Sequence, residues 1–172
     1  MKKFYILLFT IFTSFCFAQA PTNYYSSATG TGYTLKTQLY NIIKGHTDNG
    51  YAGLYVTYET SDIDNFYEND GSVLDMYSEN PNGPDAYEYT YGELQDDGTL
   101  GNNEGERYNR EHLIPQSVFS SATPMYSDAH FVVPSDKRVN GVRNNFPFGK
   151  VLNASFTSTN GSKLGNNTNS GY

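Results

Sequence analysis

The sequence YNREHLIPQSVFSSATPMYSDAHFVVPSDKRVNGVRNNFPFG, residues 108–149, decides the fold class of this chain. Near its start a carboxylate directly precedes an imidazole, at Glu111 and His112. Carboxylates ligate hard metal ions, and an imidazole can exchange a proton near neutral pH. The pair therefore predicts one half of a metal-assisted catalytic site.

Two further clusters follow within about thirty residues, a spacing that keeps them in one structural unit. They add a carboxylate, a second imidazole, a side-chain amide and three cationic groups. These residues are Asp128, His130, Lys137, Arg138, Asn140 and Arg143. Such a set suits metal-assisted cleavage of a phosphodiester, so the sequence indicates a nuclease.

The local pattern predicts a strand, a loop, a second strand and a helix. Residues 108–114 read as a strand that Pro115 ends, and residues 129–133 as a strand that Pro134 ends. Ser135 or Asp136 can cap a helix that runs to about residue 144, and Pro147 prevents its continuation.

The order of these clusters resembles the bacterial endonuclease I family of periplasmic and secreted nucleases. The resemblance covers residues 75–149 and rests on NREH, PM..DAH..VPSD and VNG.RNN.PFG. It implies an α+β, His-Me finger (ββα-metal) endonuclease I-like fold, with mixed helices and a small antiparallel sheet. The family histidine after His130 is replaced here by Phe131, and Gln95, Asp96, Asp97 and Arg107 stand where some relatives carry a cysteine pair.

The resemblance also implies roles for the central residues. Glu111 and Asn140 would ligate one divalent ion, with Mg²⁺ expected and Mn²⁺ or Ca²⁺ as alternatives. His112 would be the general base that takes a proton from the attacking water. The implied products carry a 5′-phosphate and a 3′-hydroxyl.

The remaining candidate residues surround that core. Arg143 shares a helix face with Asn140 and could act in catalysis as a phosphate clamp, or form an ion pair with Asp128 or Asp136. Lys137 and Arg138 are predicted phosphate contacts, with solvated helix charges as the alternative. Supporting roles around the site are predicted for His130, Asn109, Arg110 and Asn144.

Charge is divided unevenly along the chain, whose net charge is −7. Residues 21–104 hold 2 basic and 14 acidic residues, a net charge of −12, whereas residues 105–150 hold 6 basic and 4 acidic residues, a net charge of +2. The basic residues thus concentrate at the candidate site. We expect modest, salt-sensitive binding to a phosphate backbone.

The N-terminus has the pattern of a secretory signal peptide over residues 1–20. Two lysines precede an apolar run and an Ala-Gln-Ala cleavage site, and the run is too short to span a bilayer. A lipoprotein anchor at Cys16 is the weaker alternative. Since Cys16 is the single cysteine, the mature chain would hold no disulfide. A secreted or periplasmic protein with no membrane association after cleavage is expected.

We expect one nuclease domain over residues 21–150, followed by a low-complexity tail over residues 151–172 that ends in a loop and represents an incomplete C-terminal part. A helix over residues 34–44, capped by Thr34, should cover the core with Leu35, Leu39, Ile42 and Ile43. Residues 51–60 fit either a helix or a strand, residues 72–77 a short strand, and residues 78–106 a long irregular segment.

Three functions remain open at this stage. The leading one is a monomeric, metal-dependent endonuclease of low sequence specificity that acts on DNA, with RNA as a further substrate. The second is an inactive relative that serves as an extracellular binding module. The third, a calcium-binding adhesion domain, rests only on acidic loops, because residues 62–65 lack the third ligand and the glycine of a calcium loop.

Overall fold

The computed structural model describes residues 21–169, and the predicted signal peptide lies outside them. The described residues divide into two compact units, residues 21–47 and residues 48–169. In the first unit, α1 spans Gly32–Ile43, so it begins two residues before the predicted start and Thr31 occupies the N-cap. No residue of α1 is buried, and the expectation that this helix covers a core stays a prediction. An apolar stripe favours a helix but does not supply a partner for it.

The second unit begins with α2, Gly50–Ser61, which settles the ambiguity between helix and strand. Leu54 and Tyr58 are buried on this helix, and their i, i+4 spacing places them on one face. Together with four residues from later in the chain they form the core. Those four are Val73, Tyr89, Tyr108 and Val132.

The core relies on tyrosine, whose hydroxyl groups must find partners when buried. The Tyr58 hydroxyl donates to the carbonyl of Val132 at 3.1 Å. The Tyr89 hydroxyl donates to the Asp136 carboxylate at 2.6 Å. These bonds tie α2 and the irregular segment to the strand that carries Asp136.

The segment at residues 72–77 is not a strand, and that prediction is wrong. A single antiparallel bridge joins Ile63 to Val73. Beyond it, the buried Asp75 carboxylate accepts backbone N–H bonds from Tyr77 at 3.0 Å and Asp136 at 2.8 Å. The side chain takes the backbone donors that a strand partner would otherwise bind.

Asp64, in one of the acidic loops, is only 1% exposed. Its carboxylate accepts backbone N–H bonds from Phe66, Tyr67 and Asn69 at 2.8 to 2.9 Å. These bonds lower the pKa of Asp64, with the Phe66 N–H contributing most. The residue therefore closes a turn of its own loop.

The predicted strand, strand, helix arrangement is present. Strand β1, Tyr108–His112, pairs antiparallel with β2, Val132–Asp136, and α4 follows directly as Lys137–Arg143. β2 begins three residues later than predicted and includes Pro134, which pairs with Arg110. Proline is tolerated there because a two-stranded sheet has only edge strands. A short unpredicted helix, α3, Gln116–Phe119, lies in the connecting loop.

The ends of α4 agree with the predicted cap and length. The Asp136 side chain accepts the backbone N–H of Val139 at 2.8 Å, which satisfies a free donor of the first turn. Asn144 occupies the C-cap with φ of 52°, a conformation that asparagine adopts more readily than most residues. The helix therefore has a fixed position relative to β1 and β2.

The C-terminal residues that the structure describes are mostly regular strand, although their composition favours a low-complexity tail. They form an antiparallel hairpin of β3, Val151–Thr157, and β4, Lys163–Asn167. Their Ser-, Asn- and Gly-rich composition is not typical of strands, and most residues of both strands are exposed. The domain boundary at residue 150 stays a prediction.

Candidate active site

Glu111 and His112 occupy the last two positions of β1 and are 2% and 4% exposed. Consecutive strand residues project to opposite faces, so the end of β1 is covered on both. Glu111 contacts Tyr77 and Arg143 on one side. His112 contacts the loop between β1 and β2 on the other.

The ring of His112 is held in one tautomer. Its Nε2 lies 3.1 Å from the backbone carbonyl oxygen of Tyr126. A carbonyl only accepts hydrogen bonds, so Nε2 carries the proton and Nδ1 of the neutral ring keeps a lone pair. The Gln116 side-chain amide donates to that Nδ1 at 3.2 Å. Nδ1 is therefore the atom able to take a proton.

Aromatic rings enclose the His112 imidazole. Tyr51 and Tyr126 lie stacked at centroid distances of 5.6 and 5.9 Å, and Phe119 lies tilted at 5.8 Å. Burial lowers the pKa of His112, the Tyr126 carbonyl opposes this, and the charges of Arg110 and Arg143 add to the lowering. The ring is therefore neutral at pH 7, as a general base requires.

Only one oxygen of the Glu111 carboxylate accepts hydrogen bonds from the described residues. Oε1 accepts the hydroxyl of Tyr77 at 2.8 Å and Nη1 of Arg143 at 3.1 Å. Burial raises the pKa of Glu111, while Tyr77 and Arg143 oppose that rise. Within residues 21–169 no hydrogen bond uses Oε2, which leaves this atom for a ligand.

Arg143 fixes the backbone around the site. Beside its ion pair with Glu111, Nη1 donates to the His112 carbonyl at 2.9 Å and Nη2 to the Leu113 carbonyl at 3.1 Å. Nε donates to the Phe146 carbonyl at 2.8 Å. The ion-pair alternative thus has Glu111 as its partner in place of Asp128 or Asp136. The phosphate-clamp role stays a prediction.

Hydrogen bonds donated by its side-chain amide nitrogen fix the orientation of Asn140. Nδ2 donates to Oδ1 of Asn109 at 2.8 Å, and the Ser135 hydroxyl donates to the same Asn109 oxygen at 3.1 Å. No hydrogen bond in the described part of the chain uses Oδ1 of Asn140. Asn109 therefore holds the amide with its carbonyl oxygen unused, as a metal ligand requires.

Arg110 and Asn144 lie at the edges of this arrangement. The Arg110 guanidinium stacks on Tyr51 at 3.8 Å and Tyr55 at 4.3 Å, and donates to the Tyr51 carbonyl at 3.0 Å. It attaches α2 to β1 beside His112. Asn144 turns the chain at the end of α4.

The structure does not bring the other three candidates to the centre. Lys137 binds Asp96 at 2.8 Å and the Thr99 carbonyl at 3.2 Å. Arg138 is exposed, with its guanidinium 5.9 Å from the ring of Phe156. The His130 side chain is 99% exposed and contacts Asp128 at 3.3 Å.

Three contacts of the site have little signal in the sequence. Tyr77 is 34 residues from Glu111, and Tyr126 contributes a backbone carbonyl, which any residue could supply. Gln116 follows His112 by four residues, directly after Pro115. The polar Gln116 at the start of α3 was the one signal available.

The donor set fits a hard divalent ion. The unused Glu111 Oε2 and Asn140 Oδ1 are both oxygen atoms, which Mg²⁺ prefers, and so sparse a protein shell leaves room for water and a phosphate oxygen. A separate acidic group elsewhere in this unit, formed by Glu68, Glu79 and Asp85, has ligand atoms within 4.8 Å of one another.

With four helices and two small antiparallel sheets among residues 21–169, the chain is an α+β protein with a His-Me finger-like fold, as expected. The sequence matches the endonuclease I family over residues 31–172. The chain belongs to the endonuclease I family. No helix among the described residues has the length and apolar character needed to cross a membrane.

Two curated relatives are similar to this chain. It is 29% identical over 128 residues to an extracellular ribonuclease of Bacillus amyloliquefaciens, and 30% identical over 128 residues to an extracellular ribonuclease of Bacillus subtilis (strain 168). Each alignment covers 73% of this chain and 39% of the relative. The chain thus spans about two-fifths of the length of these relatives. No solved structure matches.

Proposed function

We propose that this protein is a secreted or periplasmic, metal-dependent endonuclease that hydrolyses DNA and RNA with low sequence specificity. The observation that carries the proposal is the His112 ring, whose Nε2 proton is held by the Tyr126 carbonyl. That bond presents Nδ1 as a proton acceptor on the strand that also carries Glu111. The second relevant fact is membership of the endonuclease I family.

In this mechanism, Nδ1 of His112 takes a proton from the water whose oxygen attacks phosphorus. The new P–O bond forms as the bond to the 3′ oxygen breaks, and the departing 3′ oxygen takes a proton from solvent water, which leaves a 5′-phosphate and a 3′-hydroxyl. The Tyr126 carbonyl stabilises the imidazolium that forms, because Nε2–H donates to it in both charge states. The lowered pKa of His112 keeps the ring ready for the next proton.

Glu111 and Asn140 would hold the divalent ion through the two oxygen atoms that the protein leaves unused. Mg²⁺ is the expected ion, with Mn²⁺ and Ca²⁺ as alternatives. When bound, such an ion supplies positive charge to the phosphate and to the departing oxygen. Arg143 and Tyr77 orient the Glu111 carboxylate, which fixes the ion's ligand relative to His112.

Low sequence specificity follows from how the substrate would be held. The basic residues would contact phosphates, which carry no sequence information. Lys137 is engaged with Asp96, so the exposed Arg138, Lys150 and Lys163 are the freer contacts. Extracellular relatives and the predicted signal peptide support export of the enzyme, and a monomer is expected.

Digestion of plasmid DNA and of RNA tests this proposal. The purified protein should cleave with Mg²⁺ and not with EDTA, and His112→Ala should lower the rate about 10² to 10⁴-fold. His46→Ala is the matched control, since this histidine is exposed and its ring bonds the Ile43 carbonyl, outside the candidate site. Full activity of His112→Ala would refute the mechanism.

The second candidate is an inactive relative that binds nucleic acid. It is favoured by the Gln116 amide, which donates to Nδ1, the one nitrogen of the neutral His112 ring that keeps a lone pair. Metal-independent binding by a folded protein without any cleavage would establish it.

A further inference from the structure

A cavity of about 640 Å³ lies between the end of α4 and the β3–β4 hairpin. Its walls combine aromatic rings with lysine and asparagine side chains. The residues that matter are Phe146, Phe148, Phe156, Lys150, Lys163 and Asn167. Its volume is that of a site for a small molecule or for one unit of a polymer.

The cavity adjoins the candidate active site. Tyr77 and Arg143 line it, and the same two residues bond Oε1 of Glu111 at 2.8 and 3.1 Å. The Phe148 ring lies 4.6 Å from the Arg143 guanidinium and is 54% exposed. A group bound in the cavity would therefore be separated from Glu111, the predicted metal ligand, only by the side chains of Tyr77 and Arg143.

The charge of this region fits a polyanion. From residue 137 to the end, the sequence has five basic residues and no acidic residue, although the whole chain has a net charge of −7. Lys150 and Lys163 are exposed at the cavity, and Arg138 lies over the ring of Phe156. A nonpolar peptide would gain nothing from these cations.

We propose that the cavity binds an unpaired base of the nucleic acid next to the scissile phosphate. The aromatic rings would stack on the base, the amide of Asn167 would meet its edge, and the cations would hold the adjoining phosphates. A base inside a duplex is paired and stacked and cannot enter without extrusion. Single-stranded substrates are therefore preferred. This inference rests on the proposed nuclease function.

Binding without cleavage tests the base subsite directly. Titrations in EDTA with His112→Ala compare a labelled oligothymidylate with an abasic oligonucleotide of the same length. Adding Phe148→Ala should weaken binding of the oligothymidylate about tenfold and leave the abasic strand unchanged. Phe66→Ala is the matched control, because that ring is 82% exposed and lies outside the cavity.

A second measurement keeps an aromatic ring at position 148. The chain has no tryptophan, so Phe148→Trp introduces a single reporter at the cavity. Its fluorescence should be quenched by oligothymidylate and not by the abasic strand. Circular dichroism of each variant checks that it folds as the parent does.

Each outcome separates this inference from the proposed function. Equal binding of both strands by parent and Phe148→Ala, with metal-dependent cleavage intact, would overturn the subsite and leave the nuclease standing. Base-dependent binding without cleavage by the unmodified protein would support the subsite and overturn the nuclease. Concentration-dependent dimerisation that Phe148→Ala abolishes would assign the cavity to a second copy and overturn the inference.

Discussion

The ββα segment, residues 108–143, and the hairpin segment, residues 144–169, are neighbours in sequence but are built in opposite ways. In the ββα segment Glu111, His112 and Arg143 are buried and connected by hydrogen bonds. In the hairpin segment Phe146, Phe148 and Leu152 are more than half exposed. Proton transfer needs fixed atoms, whereas a surface that binds many sequences needs accessible rings and charges.

The largest expected effect of breaking the buried network is at Arg143. Arg143→Met leaves the Glu111 charge buried without its ion-pair partner, and three backbone carbonyls lose their donor. We expect a loss of about 3 to 5 kcal/mol in the free energy of unfolding, measured by urea denaturation.

Arg138→Met is the control for that experiment. The side chain is exposed and makes no ion pair among residues 21–169, so a change within about 0.5 kcal/mol is expected. Equal stability of the two variants would show that the buried network is not what holds the end of β1.

Asp75 accepts the backbone N–H of Asp136 in the ββα segment, and its buried carboxyl group should make the stability of the fold depend on pH. Burial raises the pKa of Asp75 to about 7, so the folded state holds a proton that the unfolded state releases near pH 4. Between those values the folded state binds more protons, and its stability falls as pH rises. Asp75→Asn should remove up to about 4 kcal/mol of this decline, measured by denaturation at pH 4 and pH 8.

Asparagine keeps the oxygen that accepts the Tyr77 and Asp136 N–H bonds, so the fold should persist. Asp70→Asn, at an exposed position, should leave the decline unchanged. If Asp75→Asn behaves like Asp70→Asn, the buried carboxyl is not the source of the pH dependence.

Tyr77 has a smaller expected effect. Tyr77→Phe removes the hydroxyl that orients Glu111, and loss of such an outer contact weakens metal binding by about tenfold. The Mg²⁺ concentration for half-maximal cleavage should rise by that factor. Tyr67→Phe, where the ring is 52% exposed, should leave it unaltered. No difference between the two variants would remove Tyr77 from the site.

The smallest expected effect lies in the hairpin. Leu152 is 64% exposed and does not line the cavity. Leu152→Ser should change the free energy of unfolding by less than about 0.5 kcal/mol. Val132→Ser, at a fully buried position of β2, is the contrasting variant and should be clearly destabilised. A large loss at Leu152 would mean that the hairpin contributes to the core.

The same two segments show what a sequence can and cannot predict. The strand at Tyr108–His112 and the cap at Asp136 were predictable, because a proline boundary and a capping side chain act within a few residues. The contact of Tyr77 with Glu111 joins residues 34 apart and has no local pattern. The sequence did not predict the hairpin, because its strands alternate only weakly between apolar and polar residues.

Chemical rescue of His112 tests the central claim most directly. His112→Gly should remove the proton acceptor and leave a space among Tyr51, Tyr126 and Phe119 that free imidazole can enter. Cleavage should fall about 10² to 10⁴-fold and recover in part as imidazole is added, while Glu111→Gln should not respond. Undiminished cleavage by His112→Gly, or a folded variant that imidazole does not restore, would contradict His112 as the general base.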